Sequence, residues 1–201
     1  MLIIILYVDD LILMGDELLK LSFKEDLARE FEMKELGLLH YFLGLEIWKC
    51  SDGLFVSQGK YAWDILEKFN MHGCKLVDTP LPGGWRKEDA TSVEVVDATV
   101  YPQLVRSLMY LVDTQPDICY VVNQLSQAMV KPTKLFCKAG KHVLRYLRGT
   151  SGYGLWYRQE DEVKLCGFMD ADWVGSPIDR KRKSGGIFSI GSIAVSWYSR
   201  K

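Results

Sequence analysis

The sequence lacks several features that mark specialised classes of protein. Its 201 residues include 3 histidines and 5 cysteines, and no two cysteines form a Cys-x-x-Cys pair. This pattern indicates neither a common zinc site nor a disulfide framework. The formal net charge is −1, so the chain as a whole does not attract nucleic acid. Any such attraction must come from a local cluster of charges.

No apolar run is long enough to suggest a membrane span. The amino-terminal stretch MLIIIL is soon followed by Asp9, and it has neither a basic lead nor a small-residue cleavage site. We therefore expect an intracellular protein, in the cytoplasm or the nucleus, without membrane attachment. The composition, 48% hydrophobic and 25% charged, is that of a globular chain. Both ends fall beside apolar, strand-like runs, so we expect a fragment of a longer polypeptide.

The most informative stretch is LIIILYVDDLIL, residues 2–13, in which apolar residues flank Asp9 and Asp10. Its composition favours strand, and its length suits two short strands. Because two buried, unpaired carboxylates would be costly, the pattern predicts a β-hairpin with both acids at its tip. The pair is then either a solvated turn or a source of oxygen ligands for Mg²⁺ or Mn²⁺.

The next hundred residues predict alternating helices and strands. A helix is expected over 17–35, capped by Asp16, and strands over 40–48 and 54–57. Gly44 interrupts the first of these strands, and it either allows close approach of another backbone or marks a bulge. A short helix at 61–69 precedes residues 78–100, which lose periodicity and predict a linker.

Three helices are predicted beyond the linker, at 102–112, 116–130 and 133–148, the second with Thr114 near its cap. The third has a basic row whose members recur at three- and four-residue steps without an intervening acid: Lys134, Lys138, Lys141, Arg145 and Arg148. The row is either a solvated face or a stripe that follows the phosphates of a nucleic acid.

The last fifty residues predict four strands, at 155–157, 163–169, 186–190 and 193–198. Asp170 follows the second of these apolar runs, within MDADW. It is either the cap of a loop or a carboxylate placed at the end of a strand.

Several of these segments together resemble one family. Tyr7-Val8-Asp9-Asp10 within an apolar hairpin resembles the catalytic signature of reverse transcriptases. The later segments YFLGLEI, YPQLVRSLMYL, PDICYVVNQLSQAM, HVLRYLRGT and MDADW follow in matching order. They narrow the resemblance to the polymerase of copia-type long-terminal-repeat retrotransposons, and it covers essentially the whole chain.

The resemblance implies an α+β fold in four parts. Residues 1–77 would be the end of a polymerase palm, built of β-hairpins and a helix, and residues 78–100 a linker. Residues 101–150 would be a helical thumb or connection segment. Residues 151–201 would be a truncated ribonuclease H-like domain that contains the first strands of its mixed sheet.

The resemblance also assigns chemical roles. Asp9 and Asp10 would be catalytic metal ligands of the polymerase, and Asp170 a catalytic metal ligand of ribonuclease H. The intact enzyme would use Mg²⁺ or Mn²⁺ on an RNA/DNA primer-template, with YFLGLEI as the hairpin that holds the primer end. The basic row would contribute to nucleic-acid binding.

The same resemblance implies that each site is incomplete. The third polymerase carboxylate and the later ribonuclease H acids are absent from the sequence, so we expect a fragment that is inactive alone and binds no metal tightly. The alternative is a separately expressed remnant that binds nucleic acid or protein without catalysis.

Overall fold

The computed structural model describes residues 1–85, 99–158, 164–172, 183–191 and 193–200. Within them, five α-helices and three antiparallel sheets form a mixed α+β architecture, as predicted. The chain divides into two compact units, Met1–Leu39 and His40–Lys201. Residues 86–98 of the predicted linker lie outside the described part. No helix in the described part has the length and apolarity that crossing a membrane requires.

The first unit contains the predicted hairpin. Strands β1 (Leu2–Tyr7) and β2 (Asp10–Gly15) pair antiparallel, with Tyr7 opposite Asp10 and a two-residue turn between them. Helix α1 (Glu17–Glu30) begins as expected. Asp16 Oδ1 accepts hydrogen bonds from the backbone N–H groups of Leu18 at 3.0 Å and Leu19 at 3.2 Å.

The predicted extent of α1 to residue 35 is wrong. The helix ends at Glu30, and Phe31 has extended backbone. No residue of α1 is buried, so its far end lacks the packing that sustains most helices in proteins.

The first sheet of the second unit contains four strands in chain order. They are β3 (Tyr41–Phe42), β4 (Leu45–Cys50), β5 (Gly53–Ser57) and β6 (Gly154–Arg158). The prediction of one strand over residues 40–48 is wrong, because a two-residue turn at 43–44 divides this stretch into β3 and β4. Strand β6, from the predicted last part of the chain, pairs with β5 and completes this sheet.

The second sheet of this unit is an antiparallel meander. Strands β7 (Leu165–Asp172), β8 (Lys183–Ile190) and β9 (Ile193–Arg200) pair in chain order. Strand β9 packs against the helical part of the unit, where the indole N–H of Trp197 donates to the carbonyl of Val112 at 2.9 Å.

Four helices enclose the core of the second unit. They are α2 (Gly59–Lys68), α3 (Tyr101–Leu111), α4 (Cys119–Ser126) and α5 (Lys134–Thr150). Their fully buried side chains form one hydrophobic cluster: Leu66, Leu108, Leu111, Leu125, Phe136, Leu144 and Leu147. Burial of each such side chain contributes roughly 2–3 kcal/mol relative to exposure.

The helix expected over 116–130 is shorter than predicted. It begins with a 3₁₀ turn at Pro116–Ile118 and its α-helical part ends at Ser126. Thr114 does not cap it. The Thr114 hydroxyl instead donates to the side-chain carbonyl of Gln58 at 2.8 Å, and both residues are buried.

Candidate functional site

The tip of the β1–β2 hairpin carries the two predicted catalytic carboxylates. Asp9 lies in the two-residue turn and Asp10 is the first residue of β2, and both are exposed. Val8 precedes them with φ of 52°, a left-handed conformation that β-branched residues rarely adopt. Residues held in such conformations cluster at active sites. The tip therefore combines two acids with a strained backbone.

This pair fits part of a metal site. Two exposed carboxylates supply the oxygen ligands that Mg²⁺ and Mn²⁺ prefer. Within the described residues, however, no group of three or more His, Cys, Asp or Glu side chains is placed to hold a metal ion. The roles of Asp9 and Asp10 as metal ligands therefore remain predictions.

Asp170 lies inside a strand and not at the end of one. Strand β7 continues to Asp172, with Asp170 opposite Gly185 of β8. The expected strand-end position is wrong because the ladder between β7 and β8 extends past the apolar run. The Asp170 side chain is exposed, and its assignment as a metal ligand remains a prediction.

Glu46, in the YFLGLEI segment, stabilises the start of α2. Its Oε2 accepts hydrogen bonds from the backbone N–H of Lys60 at 3.2 Å and from the Ser57 hydroxyl at 3.4 Å. The helix has no side-chain cap from Gln58, so a carboxylate on the neighbouring strand takes that role. Sequence reasoning missed this contact, although an acid within an apolar strand was a visible signal.

Gly44 lies in the turn between β3 and β4. The hydroxyl of Tyr110 in α3 donates to the carbonyl of Leu43. A Cβ on Gly44 would lie 2.8 Å from that hydroxyl oxygen. Gly44 thus lies in a turn and not in a bulge, and the group that approaches it is a side chain. Close approach of another backbone remains a prediction.

The basic row on α5 is divided in two. Lys134, Lys138 and Lys141 are exposed. Arg145 and Arg148 are half-buried: the first donates to the carbonyl of Lys75 at 2.8 Å and the second to that of Cys74. The expectation that all five would line one exposed face is wrong, because guanidinium groups carry several donors and satisfy loop carbonyls that need partners.

Comparison with known proteins places the chain in a family. Residues 1–82, which include strands β1 to β5, match the family described as reverse transcriptase (RNA-dependent DNA polymerase). Over 98% of its length the chain is 37% identical to the retrovirus-related Pol polyprotein from transposon RE1 of Arabidopsis thaliana. An uncharacterized mitochondrial protein of the same plant is 37% identical, and the chain covers 82% of it. The chain belongs to the reverse transcriptase family of retrotransposon Pol polyproteins.

This membership confirms the resemblance drawn from the motifs. The Pol polyprotein from transposon TNT 1-94 of Nicotiana tabacum is 39% identical, also over 98% of the chain. The chain spans 14% of the RE1 polyprotein and 16% of the TNT 1-94 polyprotein. No solved structure matches this reverse transcriptase segment.

Proposed function

We propose that this segment supplies part of the active site of a copia-type RNA-directed DNA polymerase. Asp9 and Asp10 bind Mg²⁺ or Mn²⁺ at the hairpin tip, with Asp9 as the essential ligand. The observation that carries the proposal is the position of both carboxylates at a strained, exposed turn inside the stretch that matches the reverse transcriptase family.

The chemistry requires more carboxylates than the tip provides. When bound, two ions activate the primer 3′-hydroxyl and stabilise the leaving oxygen in nucleotidyl transfer. The polymerase needs a further acid from a strand that precedes this segment. The segment is therefore inactive alone and completes its site within a longer polyprotein.

The remaining parts follow the same plan. Residues 1–77 belong to the palm, 101–150 to the thumb or connection, and 151–201 to the start of ribonuclease H. The consecutive antiparallel order of β7, β8 and β9, with Asp170 on the first strand, supports the last assignment. Asp170 there holds a metal ion together with acids that the segment does not contain.

The primer-template is the substrate of this polymerase. The hairpin of β3 and β4 supports the primer end, and the exposed lysines of α5 bind phosphates. Lys134, Lys138 and Lys141 recur at three- and four-residue steps on one helix face. These three side chains are exposed and all carry positive charge, which supports a role in binding phosphates.

Paramagnetic broadening by Mn²⁺ tests the metal assignment. Titration of the chain with Mn²⁺ should broaden the amide NMR signals of residues 8–11 first, and Asp9→Asn should abolish that selectivity. Asp64→Asn, a matched change of an exposed acid on α2, should leave it intact. Uniform broadening across exposed acids in the unaltered chain would contradict the proposed metal site.

A second candidate is a separately expressed nucleic-acid- or protein-binding remnant without catalysis. It is favoured by the uncharacterized mitochondrial protein, of which this chain covers 82% at 37% identity. A transcript that begins and ends near this segment, and a protein of matching mass in cells, would favour this candidate. Detection of the sequence within a longer polyprotein alone would favour the polymerase.

A further inference from the structure

The turn between β3 and β4 has a conformation that its sequence does not favour. Leu43 and Gly44 both have positive φ, 49° and 75°. This pattern is that of a type I′ turn, in which Asn-Gly, Asp-Gly or Gly-Gly is preferred. A leucine in the left-handed region brings its Cβ close to the following carbonyl oxygen. Contacts from outside the turn must therefore hold it in place.

Tyr110 of α3 makes the holding contact. Its hydroxyl donates to the Leu43 carbonyl, and its ring lies over Gly44, where a Cβ would be 3.2 Å from Tyr110 Cε1. The ring is fixed in turn by an edge-to-face contact with Tyr61 of α2, with centroids 5.0 Å apart and an angle of 87°. The position of the turn is thus set by two helices of the core.

Strand β3 and the 43–44 turn expose apolar side chains to solvent. Tyr41 is 58% exposed and Leu43 is 44% exposed. Strand β4 of the same hairpin is joined to the start of α2, because Glu46 accepts a hydrogen bond from the backbone N–H of Lys60. The hairpin is therefore anchored at two points while its exposed side chains remain available to a ligand.

We propose that Tyr110 is a positioning residue for the primer end. It holds the 43–44 turn so that Tyr41 and Leu43 contact the terminal nucleotide of a recessed 3′ end, where aromatic side chains stack on exposed bases. This inference rests on the proposed role of the β3–β4 hairpin in supporting the primer.

Hydrogen exchange tests the holding contact without nucleic acid. Tyr110→Phe removes the hydroxyl and keeps the ring, so exchange of the Gly44 and Leu45 amides should quicken about two- to tenfold, as expected when one hydrogen bond is removed. Tyr61→Phe removes the hydroxyl of the neighbouring ring and should leave these amides unchanged. Equal exchange in the unaltered chain and Tyr110→Phe would overturn the positioning role.

Binding of two matched DNA duplexes tests the link to the primer end. The full chain should bind a duplex with a recessed 3′ end more tightly than a blunt duplex of equal length, and Tyr110→Phe should reduce that preference about two- to tenfold. Affinity for the blunt duplex should not change, which a general loss of structure would not produce, and Tyr61→Phe should retain the preference. A preference that Tyr110→Phe keeps would overturn the inference. Faster exchange in Tyr110→Phe, with no preference in the unaltered chain, would overturn the proposed role of the hairpin and leave Tyr110 as a support of the turn.

Discussion

Arg145 Nε donates a hydrogen bond to the backbone carbonyl oxygen of Lys75, at 2.8 Å. This contact binds a member of the basic row to the loop that follows α2. Two neighbours on α5 act on the same loop: Arg148 contacts the Cys74 carbonyl, and His142 Nε2 lies 3.0 Å from the Thr79 carbonyl. The carboxyl-terminal half of α5 therefore fixes the loop, and the amino-terminal half presents lysines to solvent.

We predict that Arg145→Met destabilises the chain and that Lys138→Met does not. Loss of the charged donor leaves the Lys75 carbonyl without its hydrogen bond, which should lower the free energy of unfolding by about 1–2 kcal/mol. Lys138 is exposed, so its change should have an effect within about 0.5 kcal/mol. Urea unfolding followed by circular dichroism measures both. Equal stabilities of the two variants would contradict the division of the row.

The exposed lysines should affect binding and not stability. Reversal of the charge in Lys138→Glu should weaken binding of a DNA duplex and reduce the salt dependence of log K by about 0.9 for each phosphate that the protein no longer neutralises. Lys68→Glu on α2 makes the same change of charge at another exposed position and should have a smaller effect. Fluorescence anisotropy at several salt concentrations gives the slopes. Identical slopes for the two variants would remove α5 from the proposed interface.

Gly44→Ala should destabilise the second unit. The substitution places a Cβ at positive φ, which is disfavoured by about 1–2 kcal/mol, and brings it 2.8 Å from the hydroxyl oxygen of Tyr110. Gly73→Ala is the matched control, because Gly73 has open space around it. Thermal unfolding of both variants measures the difference. A Gly44→Ala variant as stable as Gly73→Ala would show that the turn is not held against Tyr110.

Stability should fall at high pH in a way that depends on Tyr146. Burial raises the pKa of its phenol above the usual 10.0, and so does its hydrogen bond to Asp117 Oδ2 at 2.5 Å. The folded state then binds this proton more tightly than the unfolded state. The contribution of Tyr146 to the free energy of unfolding is therefore complete below pH 10, and it is lost as the pH rises towards the raised pKa. In Tyr146→Phe, unfolding measured between pH 9 and 11 should depend less on pH, and an unchanged slope would contradict the assignment.

Local patterns in the sequence predicted many elements of the fold. The apolar runs on both sides of Asp9 and Asp10 predicted the hairpin, and the buried leucines of α3 followed from helical periodicity. Asp16 was identified as a helix cap because a capping side chain bonds only to backbone N–H groups of the residues that follow it directly.

Contacts between distant segments could not be predicted in the same way. The pairing of β5 with β6 joins strands nearly a hundred residues apart, and neither strand's pattern specifies its partner. The turn at Leu43 was missed because its sequence does not favour positive φ. Its support comes from Tyr110, far along the chain. The hydrogen bond of Arg145 likewise could not be predicted from the sequence of α5, because its partner is a carbonyl in the loop after α2.

Single-nucleotide incorporation on a primer-template tests whether this segment supplies carboxylate ligands to a polymerase active site. It compares this chain alone with a longer polypeptide in which the preceding polymerase residues of its Pol polyprotein are present, each with Mg²⁺ or Mn²⁺. We predict no incorporation by the chain alone, incorporation by the longer polypeptide, and loss of that activity in Asp9→Asn. Template-dependent incorporation by the chain alone that Asp9→Asn abolishes, or a longer polypeptide that Asp9→Asn leaves fully active, would contradict this prediction.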